Sequence, residues 1–476
     1  MAAVDIITDL AEDLTERNTT SAAYQRYYDG DHPLPWIHKK VAARYNRLMR
    51  QAITNFPLLV VDSVKNRLRV QGFRLDEADA DQFVWTDVWQ RNNLDIYSGM
   101  VHQQALVTGV SYVSVWPDDL GRPRIRGESC TEVYHESEPD DPMVVRYALK
   151  VWADVYAKTW YARVFEPGTV TFLSAPYRGM DMDSITRPVF SEFARTAKWD
   201  VDEVVDNPFG ETVPIVPFLN RPRMDGTGLG EFADIIPLFD RVNTLTADLL
   251  LAAELAAFKI RWATGLEIPR DTDGNPVEPY DVALDRLWIS EDPETRYGSF
   301  DATPLDPYAS AIDQAIHQIA AASSTPPTLL TGKITNLSAE SLKAMETGLV
   351  MKVKSRMQAY GEAWAQVVRL GLAAYGDSRS DMAEIETIWV DPENVSEAQR
   401  VDALVKLSSI GLPWRAVMER WGATPQEIDR WDQMRADDVF ARMMADAATA
   451  TPAMDNGGPS IAQTTPQQDP EDVPAQ

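Results

Sequence analysis

Residues 323–376 read SSTPPTLLTGKITNLSAESLKAMETGLVMKVKSRMQAYGEAWAQVVRLGLAAYG, and they set the architecture of the chain. The stretch opens with turn formers and two prolines, which stop any preceding helix. Ser338 is a suitable helix N-cap, with Glu340 in the first turn. Apolar residues then recur at helical spacing as far as Tyr375, and a glycine follows. This pattern predicts a helix of about 38 residues, or about 55 Å, a rod that few monomeric domains need.

Two shorter helices are predicted upstream of this rod: one of about 25 residues beyond Pro237, within helical periodicity that runs over 227–262, and one over 308–322. The insertion between them, 263–307, is turn-rich, with a hairpin tip at 273–276 and a short strand at 286–289. A hairpin of helices this elongated exposes apolar faces unless neighbouring copies cover them. The sequence therefore predicts a homo-oligomer.

The N-terminal half combines helical and strand patterns. Helices are predicted over 5–28, over 41–69 with a break at 55–57, over 80–90, and over 95–108 with Gly109 as its cap. Between residues 110 and 216 the hydrophobic period changes to two, as expected for strands. The predicted strands are 112–116, 122–126, 143–151, 159–165 and 169–173. An antiparallel sheet backed by helices makes this half α+β.

The C-terminal part is again mainly helical. A strand is predicted at 385–390, and helices at 396–409, 413–421 and 425–444. Residues 451–476 are rich in Pro, Gln and Asp, which predicts a disordered tail. The fold class predicted for the whole chain is α+β, mainly helical.

Charge restricts the possible partners. The 476 residues include 45 Lys and Arg against 72 Asp and Glu, a net charge of −27, while hydrophobic residues make up a globular 45%. A broad nucleic-acid-binding face neutralises phosphates with basic residues, and a chain this acidic does not offer one. Any contact with DNA is therefore expected to be local or weak.

Several other classes of protein are excluded. Cys130 is the only cysteine, so the chain has neither an internal disulfide nor a multi-cysteine metal site. The N-terminus carries acids where a signal peptide needs a basic region. The most apolar window, 235–262, is interrupted by six charged residues, which excludes a membrane span.

No catalytic, cofactor or metal site is predicted. The five histidines are scattered without metal-ligand spacing. Lys333 follows a glycine but lacks the spacing of a phosphate-binding loop. Gly226, Gly228 and Gly230 precede a helix, but the GxGxG spacing without a parallel βαβ unit favours a structural hinge over a nucleotide site.

One local charge feature remains. Between residues 333 and 356 the acids are Glu340 and Glu346, which leaves a local charge of +3 in a chain of −27. The basic residues of this strip are Lys333, Lys343, Lys352, Lys354 and Arg356. Two interpretations stay open: an ordinary solvated face, or a strip that touches an anionic polymer.

The order of these segments resembles the portal, or head-to-tail connector, proteins of long-tailed bacteriophages, particularly those infecting actinobacteria. The resemblance extends over about residues 30–450, and its strength lies in the combination and order of short motifs. The motifs are YYDGDHPLP at 27–35, NFPLLVVD at 55–62 with RLRVQGF at 67–73, WQRNNLD at 89–95, ALVTGVSYV at 105–113 and VPFLNRP at 216–222.

The resemblance implies a ring, usually of twelve subunits, in which each subunit has a wing, a stem, a clip, a tunnel loop and a crown. The implied segments are the wing at 1–226, stem helices at 227–262 and 308–324 around a clip at 263–307, a tunnel loop at 325–337, a long wing helix at 338–376, a wing strand at 377–395, crown helices at 396–450 and a tail at 451–476. Lys333, Lys343 and Lys352 then become candidates for the DNA channel. Asp273, Asn275 and Trp288 become candidates for partner binding by the clip.

The implied role is structural, with no enzyme activity. Such a ring is assembled in the host cytoplasm, occupies one capsid vertex of the virion, and passes double-stranded DNA without sequence specificity during packaging and ejection. The implied partners are the terminase large subunit, the major capsid and scaffolding proteins and a head-completion adaptor, with no membrane. The competing hypothesis is a minor capsid protein or a head-associated enzyme such as a nuclease.

Overall fold

The computed structural model describes residues 3–35, 39–75, 80–154, 156–176, 194, 197–257, 261–264, 294–299, 304–333, 339–382, 384–393 and 397–449. The chain divides into two compact units, residues 1–425 and 426–476. The predictions for Asp273, Asn275, Trp288 and the tail at 451–476 lie outside the described residues.

The helices agree closely with the apolar periodicity of the sequence. They are α1 (Ala3–Tyr28), α2 (Lys39–Gln51), α3 (Phe56–Lys65), α4 (Leu94–Thr108), α5 (Ile236–Ala257), α6 (Asp306–Ser323), α7 (Pro327–Thr331), α8 (Ala339–Ala374), α9 (Glu397–Ser409), α10 (Trp414–Trp421) and α11 (Pro425–Thr449). The long helix α8 confirms the predicted rod, and Gly376 follows it at φ 70°. Gly109 caps α4 in the left-handed conformation, as predicted.

The strands build antiparallel sheets. They are β1 (Val70–Arg74), β2 (Val110–Pro117), β3 (Pro123–Glu128), β4 (Val133–Ser137), β5 (Val145–Asp154), β6 (Thr159–Glu166), β7 (Thr169–Pro176), β8 (Asp200–Asp206), β9 (Ile215–Leu219), β10 (Arg261–Thr264), β11 (Arg296–Ser299) and β12 (Glu386–Trp389). One sheet is a five-stranded meander, β4-β5-β6-β7-β8, and a second has the order β3-β2-β9. The predicted α+β class is confirmed.

The long helix α8 runs through the main hydrophobic core. Its residues Tyr360, Trp364 and Val368 recur every fourth position and are all buried. The indole N–H of Trp364 donates to Nε2 of His102 on α4 over 2.9 Å, and the His102 ring stacks on Tyr360. Burial lowers the pKa of His102 to about 3, so the ring is neutral and carries its proton on Nδ1.

Some predicted elements were wrong in extent. The helix expected from Pro237 to about residue 262 is α5, and it ends already at Ala257, because β10 pairs with β11 to close the base of the insertion. Residues 327–331 form the short helix α7 inside a stretch predicted to be irregular, since a proline is favourable in the first turn of a helix.

Residues 84–89 form a π-helix where an ordinary helix was expected. The wider turn brings Trp85 and Trp89 into a stacked pair with ring centroids 5.7 Å apart. Strands β1, β4, β8 and β9 were not predicted. The partner of β1 is β12, more than 300 residues later in the chain, so local periodicity carries little information about that pairing.

The glycine-rich segment before α5 crosses the end of α4 at very short range. A Cβ atom on Gly228 would lie 2.0 Å from the carbonyl oxygen of Gly109, and one on Gly230 would lie 2.5 Å from that of Val107. The N–H of Asn220 donates to the Gly109 carbonyl over 2.8 Å. These glycines therefore allow two backbones to touch. We call this contact of Gly228 and Gly230 with Gly109 and Val107 the glycine crossing.

Among the helices of the described segments, none is both long enough and apolar enough to cross a bilayer.

We expect Gly228→Ala to lower the free energy of unfolding by about 2 kcal/mol or more, because its methyl group collides with backbone that has little freedom to move. Gly99→Ala is the matched control: it lies in α4 with no atom within 4 Å of the added Cβ, and alanine favours the helix. Urea unfolding followed by circular dichroism measures both. Equal midpoints for the two variants would contradict the tight crossing.

Candidate nucleic-acid interface

The first channel candidate, Lys333, lies just beyond α7. Gly332 takes a left-handed conformation with φ 64° and ends the short helix. The Lys333 side chain is 70% exposed, and its ammonium is 3.8 Å from a carboxylate oxygen of Asp313 on α6. An exposed ion pair of this kind contributes little, so the Lys333 charge is open to solvent and to a passing anion.

The second candidate, Lys343, lies near the start of α8 and is 67% exposed. Its ammonium is 3.8 Å from Glu393, and Lys354 approaches the other oxygen of the same carboxylate at 3.2 Å. Glu393 follows β12, far from these lysines in sequence. One acid thus compensates two exposed basic residues of the strip.

The third candidate, Lys352, has a different environment, with a side chain only 11% exposed. Its ammonium donates to the Ser323 carbonyl over 2.6 Å and lies 3.3 Å from Glu231, whose side chain is 4% exposed. Burial lowers the pKa of Lys352, and the Glu231 carboxylate opposes that shift. This placement favours a structural role for Lys352 over contact with DNA.

Glu231 is the centre of a buried charge cluster. Arg356 binds it through Nε and Nη2 at 3.1 and 3.0 Å, and the Asn220 amide donates to it over 3.2 Å. The Tyr360 hydroxyl donates in turn to Asn220 over 3.3 Å. Burial by itself raises the pKa of Glu231, but Lys352, Arg356 and the Asn220 hydrogen bond outweigh it and hold the pKa below its ordinary value of 4.5.

The cluster joins distant parts of the chain. Lys352 and Arg356 lie one turn apart on α8, and Ser323 is the last residue of α6. Glu231 follows the glycines of the crossing, and its backbone N–H donates to the Leu106 carbonyl over 2.7 Å. The sequence contained only a faint signal for this cluster. Glu231 stands directly after the glycines, and two basic residues four apart occupy an apolar stretch of helix.

The net positive charge around residues 333–356 is therefore smaller in the folded protein than the count along the sequence suggests. Asp313, Glu231 and Glu393 all lie outside residues 333–356, yet each one pairs with a basic residue of the strip. Glu346, counted as part of the strip, binds Arg67 instead at 3.6 Å. Lys333 and Lys343 remain the exposed candidates.

Helices α5 and α6 form an antiparallel pair that leads up to Lys333. Arg241, near the start of α5, donates to Gln318, near the end of α6, over 2.7 Å. The strand pair β10–β11 joins the opposite ends of the two helices. The pair thus carries the insertion 263–307 at one end and α7 with Lys333 at the other.

No group of three or more metal-ligating side chains occurs in the portion of the chain that the structure describes.

The described part of the chain thus has a helix pair that carries an insertion, a short connection with Lys333 exposed beside it, and the long helix α8. A family model for phage portal proteins of the SPP1 Gp6-like type matches residues 9–439, and the chain belongs to that family. The portal protein of Mycobacterium phage D29 is 30% identical over 451 residues, which cover 88% of this chain and 87% of that protein. The portal protein of Mycobacterium phage L5 is 30% identical over 440 residues, covering 87% and 85%.

The predicted resemblance is thus confirmed, and the chain is a phage portal protein. The family is structural rather than enzymatic. Neither the family nor these relatives support the alternative of a minor capsid protein or a nuclease.

We expect Glu231→Gln to lower the free energy of unfolding by about 3 to 5 kcal/mol at pH 7, because two buried cations lose their counter-charge. Glu393→Gln, which removes the exposed partner of Lys343 and Lys354, is expected to cost less than about 1 kcal/mol. Urea unfolding of both variants measures the difference, and similar losses would argue against the buried cluster.

Urea unfolding of the wild type and Glu231→Gln also tests how the free energy of unfolding depends on pH. The pKa of Glu231 is lower in the folded protein than its ordinary value of 4.5. Its contribution to the free energy of unfolding is therefore complete above pH 4.5 and is lost as the pH falls through the pKa of the folded state. The stability gap between the wild type and Glu231→Gln is therefore expected to narrow in acid.

Proposed function

We propose that this protein assembles into a dodecameric ring at one capsid vertex, through which double-stranded DNA passes without sequence specificity during packaging and ejection. The observation that carries the proposal is the family match over residues 9–439, which contains the helix pair, the short helix and the long helix. The ring is built in the host cytoplasm and becomes part of the virion.

The parts of the subunit are proposed as follows: a wing from 1–226 with the long helix and the strand β12, a stem from α5 and α6, a clip at 263–307, a tunnel loop at 325–337 and a crown at 396–450. The antiparallel course of α5 and α6 supports a stem, because it brings the insertion to one end and Lys333 to the other. The proposed stem helices take the bounds of α5 (Ile236–Ala257) and α6 (Asp306–Ser323).

Apolar residues exposed on the subunit support assembly. Leu329 on α7 and Met345 and Met351 on α8 are exposed, beside the exposed lysines. Large apolar side chains exposed on these two helices offer surface that another chain could cover. Neighbouring subunits are the proposed cover.

Lys333 and Lys343 are proposed to face DNA phosphates in the channel. One exposed lysine per subunit forms a positive collar, and its weak ion pair with Asp313 leaves the charge available. Because each phosphate contact strengthens binding, a channel with few such contacts lets DNA move.

The clip is proposed to bind the terminase large subunit during packaging and a head-completion adaptor afterwards, with Asp273, Asn275 and Trp288 as candidate contacts. An insertion at the far end of two helices is well placed for successive partners. The wing is proposed to contact the major capsid and scaffolding proteins.

The ring itself has a direct test. We expect negative-stain microscopy of the purified protein to show rings with a central hole, and mass photometry to show a species about twelve times the 53.3 kDa subunit. A single 53 kDa species at micromolar concentration, over a range of salt concentrations, would refute the proposal.

Lys333→Glu is expected to leave assembly intact while slowing DNA packaging several-fold or reducing the DNA retained, because it replaces the positive collar with a negative one. Lys343→Glu is expected to have a smaller effect. Lys198→Glu, an exposed reversal before β8, is the control for the change in net charge. Unchanged packaging by assembled proheads carrying Lys333→Glu would mean that the lysine merely solvates its loop.

A further inference from the structure

The five-stranded sheet presents two chemically different faces. Leu149 and Val151 on β5 alternate with Lys150 and Trp152, so each pair points to its own side of the sheet. The side of Leu149 and Val151 packs against apolar residues of α1, including Ile7, Leu10 and Leu14. The side of Lys150 and Trp152 is only partly covered by the sheet β3-β2-β9.

Where that second side is uncovered, arginines and aromatic rings lie together. We call this surface the arginine–aromatic patch; its residues are Arg124, Arg126, Trp152, Arg163 and Phe172. The Arg163 guanidinium lies over the rings of Trp152 and Phe172, 5.2 and 4.8 Å from their centroids. Burial and the positive charges of Arg126 and Arg124 lower the pKa of Arg163, while Glu128 opposes the shift.

Among the described residues, the arginines of the patch form no ion pair with an acid. No ion pair holds Arg124, Arg126 or Arg163 in the described parts of the chain, and the buried Nε of Arg163 has no hydrogen-bond partner there. Glu128 is already engaged, since it accepts from Lys150 over 2.6 Å and from Ser114 over 2.7 Å. Three arginines without an ion pair among the described residues, in a chain of net charge −27, point to an anionic partner outside the subunit.

The composition of the patch indicates a protein partner. Tryptophan, tyrosine and arginine are the residues enriched at energetically important positions of protein interfaces. A guanidinium fixed between two rings is ready to bind a carboxylate with little loss of side-chain entropy.

The complementary surface is present on the same chain, on the other side of the same layer. The solvent face of α1 carries Asp9, Glu12 and Glu16, which are exposed and have no ion pair within the described residues. Their spacing of three and four places them in one line about 10 Å long. Because α1 covers the opposite face of the five-stranded sheet, this acidic stripe and the arginine–aromatic patch point away from each other.

We propose that the arginine–aromatic patch of one subunit binds the acidic stripe of α1 on the next copy of this chain. A ring joins each subunit head-to-tail through two different surfaces, and opposite sides of one layer provide such a pair. The inference rests on the proposed ring and adds to it a charged contact away from the helix pair.

The test uses the full-length protein and two sets of charge reversals. Variant one is Arg124→Glu/Arg126→Glu, and variant two is Asp9→Lys/Glu12→Lys/Glu16→Lys. The control, Arg430→Glu/Arg442→Glu, reverses two exposed arginines on α11. Mass photometry at about 0.1 M salt measures the ring fraction of each protein alone and of the first two mixed one to one.

Each reversed variant alone is expected to lose about tenfold in ring fraction, because like charges then meet at every contact, while the control assembles as the wild type does. The one-to-one mixture is expected to recover rings, since an alternating ring restores opposite charges at each contact. Thermal unfolding of the monomers checks folding, and Arg124→Gln/Arg126→Gln with Glu12→Gln/Glu16→Gln are the milder pair if a reversal fails to fold.

The outcomes separate the two proposals. A wild-type protein that forms no rings refutes the proposed function. If the wild type forms rings and the reversed variants assemble fully, or if the mixture has no higher ring fraction than its components, only the patch-to-stripe contact is refuted. The partner of the patch would then be a different acidic protein or DNA.

Discussion

The buried carboxylate of Glu231 is the contact on which the rest of the subunit depends. Removing a carboxylate from water is costly, and here the cost is offset because two basic residues of α8 and the Asn220 amide surround it. Through Lys352 the same cluster binds the carbonyl of Ser323, the last residue of α6. The end of α6, the glycine crossing and the long helix α8 are therefore joined at a single point.

The buried cluster determines which basic residues of the chain remain exposed. The buried cations of α8 are committed to holding the subunit together, whereas Lys333 and Lys343 are exposed beside weak ion pairs. The protein thus separates buried basic residues that stabilise the fold from exposed basic residues whose charge is open to solvent. A net charge of −27 keeps the attraction for DNA low elsewhere on the subunit.

The glycine crossing and the aromatic core show how the same region is held without charge. Gly109 and Gly228 let two backbones touch, and His102 accepts from Trp364 while stacking on Tyr360. Because burial keeps His102 neutral, this contact does not change near neutral pH.

The sequence by itself determined the long helix, most helix bounds, the hairpin β2–β3, the three central strands of the meander and the family, because these follow from local periodicity, caps and ordered motifs. It did not determine β1, whose partner β12 is distant, or the end of α5, where strand pairing replaced helical periodicity. The count along the sequence also gave residues 333–356 a net positive charge. Only the tertiary structure brought Asp313, Glu231 and Glu393 to those basic residues and buried Lys352, since electrostatic partners are set by distance in space rather than in sequence.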